Sequence, residues 1–151
     1  MQIPLTTQEV ISLTRSQLFR VHAPNHVHDV LRGGAPNGFG NQSLEVAETL
    51  PYTCGAMLCA AQEAISNGKV AIAPVSGFHH AGYRRAMGYC TFNGLVAAAF
   101  ALRDLGLATK VGILDFDMHY GNGTDELIRH FKAGDWIDHE SAGQEYHSQT
   151  Q

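Results

Sequence analysis

The sequence is poor in charge: only 16% of its 151 residues are Asp, Glu, Lys or Arg, and acidic groups outnumber basic ones 14 to 10. A chain with net charge −4 has no basic surplus to hold a nucleic-acid backbone or an acidic membrane surface, so neither is expected as a partner. Long apolar runs are missing too. The longest uninterrupted one, Leu95 to Leu102, falls far short of a membrane span. The opening MQIPLTTQEV lacks a basic segment followed by an apolar one, so no secretion signal is read there. Cysteine is scarce: Cys54, Cys59 and Cys90 are odd in number and form no Cys-x-x-Cys pair, which excludes a disulfide scaffold and points to a reduced, cytoplasmic protein. Neither internal repeats nor low-complexity tracts occur. What remains is a globular chain of one domain's length, 44% apolar, with an unusual nine histidines.

Local patterns predict a helix from Thr7 to about Phe19, with Val10, Ile11, Leu13 and Leu18 as a loose apolar face. Val21 to Asn41 reads as loop, rich in turn residues such as Pro24, Gly33-Gly34 and Pro36-Asn37-Gly38. A long helix with a small-residue face (Gly55, Ala56, Ala60, Ala61, Ala64) is expected from near Pro51 to Asn67, with Gly68 in the left-handed position after its end. Val70–Val75 and Val111–Phe116 read as buried strands. Asn93 to Leu105, capped by Asn93, reads as the helix between them, and Thr124 to about Lys132 as a further helix. This order predicts an α/β fold whose parallel sheet is flanked by helices on both faces. Three regions follow: 1–42 as N-terminal helix and loop, 43–133 as the α/β core, and 134–151 as a polar tail.

In an open parallel sheet, ligands bind beyond the carboxyl ends of the strands. Two polar segments fall at that rim. One is Ser76-Gly77-Phe78-His79-His80-Ala81; the other runs from Asp115 through Asp117 and His119 to Thr124. At alternate positions of an extended segment, Asp115, Asp117 and His119 share one side, and such oxygen and nitrogen donors suit zinc or another divalent transition metal. Opposite a metal, the imidazoles of His79 and His80 suit a general base and an electrostatic partner. Gly121-Asn122-Gly123-Thr124 reads as a tight turn with Thr124 near a helix cap. His22, His26 and His28 read as loop residues, since Pro24 breaks any helical spacing. Arg84-Arg85 reads as a solvated pair, and Cys90 as a buried thiol and not a nucleophile.

On these residues the chain resembles the histone deacetylase family of the arginase/deacetylase superfamily, on the bacterial acetoin-utilisation and acetylpolyamine side. The likeness covers roughly Leu44 to Leu127. Gly77-Phe78-His79-His80-Ala81 is similar to the family's tandem-histidine motif. Gly88-Tyr89-Cys90-Thr91-Phe92-Asn93 resembles its acyl-tunnel segment, and Asp115 to Thr124 its metal motif, with Tyr120 in place of a common second histidine. The resemblance implies a three-layer fold and zinc bound by Asp117 and His119. It also implies catalytic roles for His79 and His80, supported by Asp115 and Asn122, a K+ site near Asp115, and a substrate tunnel at Phe78, Gly88 and Tyr89. The implied reaction removes acetyl from a lysine-like or polyamine amine. The family's third zinc ligand and its carbonyl-polarising tyrosine come from later segments that have no counterpart here. The chain therefore reads as a truncated, N-terminal half of the domain, in which Asp135, Asp138, His139, Glu140 or a neighbouring chain would have to supply the third donor. An uncovered sheet edge would favour a homodimer or larger homo-oligomer. The competing expectation is a non-catalytic oligomeric binding module that retains the fold.

Overall fold

The computed structural model describes residues 6–143. Five helices and two strands follow in the order α1 (Arg15–Phe19), α2 (Pro24–Leu31), α3 (Leu44–Asn67), α4 (Gly94–Asp104), β1 (Val111–Asp115), α5 (Asn122–His130) and β2 (Ile137–Ser141). β1 and β2 pair in parallel, with Val111 opposite Ile137 and Asp115 opposite Ser141, and α5 forms the crossover between them.

The core is built mainly from helices. On α3, Ala47, Leu50, Cys54 and Leu58 recur at helical spacing and are buried. They face α4, whose Val96, Ala97, Ala98, Ala99 and Phe100 are buried around most of the helix circumference. Leu127 and Ile128 of α5 and Ile113 of β1 close this core from the strand side. The α/β class and the parallel pairing agree with the sequence reading. Within the strand pair, Ile113 is buried, whereas Leu114 beside it is 69% exposed.

Several boundaries differ from expectation. The predicted first helix shrinks to Arg15–Phe19, started by a capping box between Thr14 and Gln17. The predicted loop from Val21 to Asn41 contains α2, where Pro24 opens the helix from its first turn and does not break one. The long helix begins a full two turns before Pro51. Ser43 caps it by accepting the Val46 N–H at 3.3 Å, and tertiary packing carries it through the proline. Its end is as expected, with Gly68 left-handed at φ 68°.

The largest correction concerns Val70–Val75, which forms no strand: Val70 is 90% exposed and Ile72 76%. Pro74 removes a ladder donor within the run, one residue before its end, which disfavours a central strand. The β-α-β unit therefore lies one step later in the chain. Its second strand comes from the expected polar tail, of which residues 144–151 lie outside the described residues. There Ile137, His139 and Ser141 alternate with the exposed Asp138 and Glu140. The inward face carries two polar side chains, so the period of two gives no apolar signal.

Candidate functional site

The loop Phe78–Ala81 is fixed from three sides. Backbone N–H groups of Gly123 and Thr124, at the start of α5, donate to the His79 carbonyl at 2.8 and 3.0 Å. Glycine is required at 123 because a Cβ there would lie 2.4 Å from the His80 carbonyl carbon. From α4, the capping residue Asn93 donates through Nδ2 to Ala81 O at 3.2 Å and to Thr124 Oγ1 at 3.0 Å. From the N-terminal side, His22 donates Nδ1–H to Gly82 O at 2.9 Å and accepts the Asn93 N–H at Nε2, 2.8 Å away. Those two bonds fix a neutral imidazole, and burial pushes its pKa down to about 3. His22, in the connection between α1 and α2, is thus a loop residue as expected, but a fully buried one that acts as a strut of the site. The sequence carries no pattern that would mark it, since nothing local reveals a partner sixty residues away.

On this support the two histidines take separate partners. His79 Nδ1 lies 2.7 Å from Asp115 Oδ2, and a carboxylate can only accept, so the imidazole donates. His80 Nδ1 lies 2.7 Å from Asn122 Oδ1. The rings are adjacent, with centroids 4.0 Å apart. Adjacent residues from one loop thus reach a carboxylate on β1 and an amide on α5, the pairing implied for these four positions. Each bond leaves the outer Nε2 of its ring as the nitrogen that can exchange a proton with a bound molecule.

Beyond Asp115 the chain stops being extended. The Asp117 N–H turns back to Asp115 Oδ1 at 3.0 Å, and the His119 N–H to Asp117 Oδ1 at 2.7 Å. Alternation therefore does not align Asp115, Asp117 and His119; side-chain turns do. His119 Nδ1 is 3.0 Å from Asp117 Oδ1, and His79 Nε2 is 4.0 Å from the same oxygen. Hydrogen bonds from His119, its backbone N–H first, hold the Asp117 carboxyl below its ordinary range.

These positions form a zinc-type donor pair, but a catalytic zinc takes three protein ligands. Among the described residues no group of three His, Cys, Asp or Glu side chains is drawn together for a metal. Asp135, Asp138 and Glu140 are exposed, and His139 turns toward Asp115, its Nε2 4.0 Å from Asp115 Oδ2. The described residues alone do not complete a zinc site.

A surface cavity of ≈ 220 Å³ opens beside the pair, lined by His79, Asp115 and Asp117 with Phe78, Leu114 and Phe116. Phe78 is otherwise core, 6% exposed and packed on Gly94, where a Cβ would lie 2.5 Å from its ring. Gly88 stands across His80. A Cβ at Gly88 would lie 2.4 Å from His80 Cδ2, and Tyr89 takes φ 63° with its ring 70% exposed against Phe39. Cys90 is buried, which pushes its thiol pKa up, in line with an inert thiol. The turn before α5 starts the helix at Asn122 and not at Thr124; Thr124 is fully buried as a partner of Asn93.

A parallel β-α-β unit with paired, separately supported histidines at its carboxyl rim defines an α/β protein with a candidate site at that rim. The chain belongs to the histone deacetylase domain family, whose model matches residues 3–133. It is 32% identical over 118 residues to a probable deacetylase of Methanothermobacter thermautotrophicus, a match covering 74% of this chain and 35% of that protein. It is 46% identical over 57 residues to the acetylpolyamine amidohydrolase of Mycoplana ramosa, covering 38% of this chain and 16% of that one. The crystal structure of the HDA15 HD domain superposes with a TM-score of 0.69 at 28% identity, over 89% of this chain and 39% of that one. The chain thus spans about a third of the length of the first of these relatives.

Proposed function

We propose that this chain carries the proton-transfer residues of a deacetylase that hydrolyses an acetylated lysine-like or polyamine amine. The observation that carries the reading is the pair of 2.7 Å bonds that seat His79 on Asp115 and His80 on Asn122. In the reaction, water adds to the acetyl carbonyl carbon, the C–N bond breaks, and acetate and a free amine leave. The water must lose a proton and the amine nitrogen must gain one, which two neighbouring imidazoles can manage. Asp115 balances the charge of a doubly protonated His79. Asn122 is neutral and orients His80 without that compensation. Tyr89 and Gly88 on one side, and the cavity floored by Phe78 on the other, are the surfaces for the acyl chain.

Zinc bound by Asp117 and His119 belongs to the same proposal, with a third donor from outside the described residues. Zinc would polarise the carbonyl and the water. A monovalent cation such as K+ near Asp115 is the secondary cofactor of this reading. A cytoplasmic setting is supported by three free cysteines. No described helix is long and apolar enough to cross a membrane.

A homodimer or larger homo-oligomer is part of the proposal as well, supported by the exposed Leu114 and Phe116 beside an open strand. A non-catalytic binding module on the same fold is the second reading, and the two-donor metal set favours it. Release of acetate from an acetyl-lysine peptide or an acetylpolyamine, lost in His80→Ala, separates the two.

A further inference from the structure

Two buried side-chain nitrogens among the described residues have no hydrogen-bond partner, His26 Nε2 and His139 Nε2. His139 has an acceptor in view. It sits on β2 opposite Ile113 of β1, with its side chain 6% exposed. Its Nε2 is 4.0 Å from Asp115 Oδ2, the oxygen that also takes the His79 Nδ1–H at 2.7 Å. The backbone at Gly121 makes this approach possible, because a Cβ there would stand 2.6 Å from Asp115 Oδ2 and 3.1 Å from the His139 ring. The Asp115 carboxylate has unused acceptor capacity, whereas a buried imidazole N–H without an acceptor is costly.

A separation of 4.0 Å is longer than a hydrogen bond, and because Nε2 is closed off from solvent a shift of the His139 ring by about 1 Å toward Asp115 would bring the two into direct contact. His139 does not complete a metal group with Asp117 and His119, since no three such side chains converge among the described residues. We propose that His139 is a positioning residue. Its Nε2–H gives Asp115 Oδ2 a second donor, which fixes the carboxylate rotamer that in turn holds His79. That this affects catalysis rests on the deacetylase reading; the hydrogen-bond chain does not.

The test is long-range proton–nitrogen correlation NMR of the histidine-labelled full chain at neutral pH, with His79→Gln identifying the His79 resonances. His139→Leu is expected to shift the His79 Nδ1 signal. His139→Gln, whose amide nitrogen reaches the Nε2 position, is expected to keep it near wild type. His139→Asn, which reaches only the Nδ1 position, is expected to behave like the Leu variant. Unchanged His79 signals in His139→Leu would overturn the proposal, and so would equal shifts in the Gln and Asn variants. If the Leu variant does not fold, the Gln and Asn pair decides the question alone. The readout needs no turnover. An inactive chain with the expected shifts would refute the deacetylase reading and leave this inference standing.

Discussion

His22 is the residue on which the site's support depends most visibly. It is fully buried and neutral, and it satisfies a carbonyl beside the histidine pair and the N–H of the residue that caps α4. Its pKa is near 3 when folded, against 6.5 for a free histidine. Above about pH 6.5 both states are neutral and stability is complete. As pH falls toward 3, the unfolded chain gains a proton that the folded chain refuses, so stability is lost progressively. Between pH 7 and pH 5 this one group removes about 2 kcal/mol. Burial lowers the pKa values of His26 and His139 as well, so both act in the same direction. Urea unfolding at the two pH values checks this; a midpoint independent of pH would contradict it, and His22→Gln should flatten the dependence.

At the scale of elements, Asn93 joins α4 to the rest of the site. It accepts the Val96 N–H at 3.1 Å as the helix cap and donates to Ala81 and Thr124. Asn93→Ala removes the cap, worth about 1 kcal/mol, and strands a buried acceptor at about 1–3 kcal/mol more. A loss of about 2–4 kcal/mol in a denaturant titration is expected; a loss below that of a surface mutation would show the network to be dispensable.

How much of this was legible varies with the element. Asn93, the apolar α4 and VGILD of β1 announced themselves through a cap and an uninterrupted apolar run. The partners of the histidine pair, Asp115 and Asn122, were legible only through the family resemblance, since the strand expected before the histidine loop does not form and Asn122 by itself read as a turn residue. The start of α3 was obscured by Pro51, whose local cost is overridden by packing. β2 was hidden because the side chains alternating with Asp138 and Glu140 include His139 and Ser141. The roles of His22 and His139 depend on contacts remote in sequence, which no local pattern encodes.

For the whole molecule, exposed apolar side chains include Val70 and Ile72 before the histidine loop and Leu114 and Phe116 at the end of β1, which are 90%, 76%, 69% and 84% exposed. A second copy covering such side chains predicts a dimer or larger mass in light scattering at micromolar concentration, and a strictly monomeric mass would contradict that expectation. Elemental analysis of the purified, undenatured chain should find about one zinc per chain, lost in Asp117→Ala. An absence of bound zinc would favour the non-catalytic reading. The central claim is that His79 and His80 form working proton-transfer machinery on this fold. Its most direct measurement is the rate of acetate release from an acetyl-lysine peptide or acetylpolyamine by the zinc-supplied chain, beside His80→Ala. The account predicts measurable release that falls about 100-fold or more in the variant. A folded wild-type chain that releases no acetate, or a variant as fast as wild type, would contradict it.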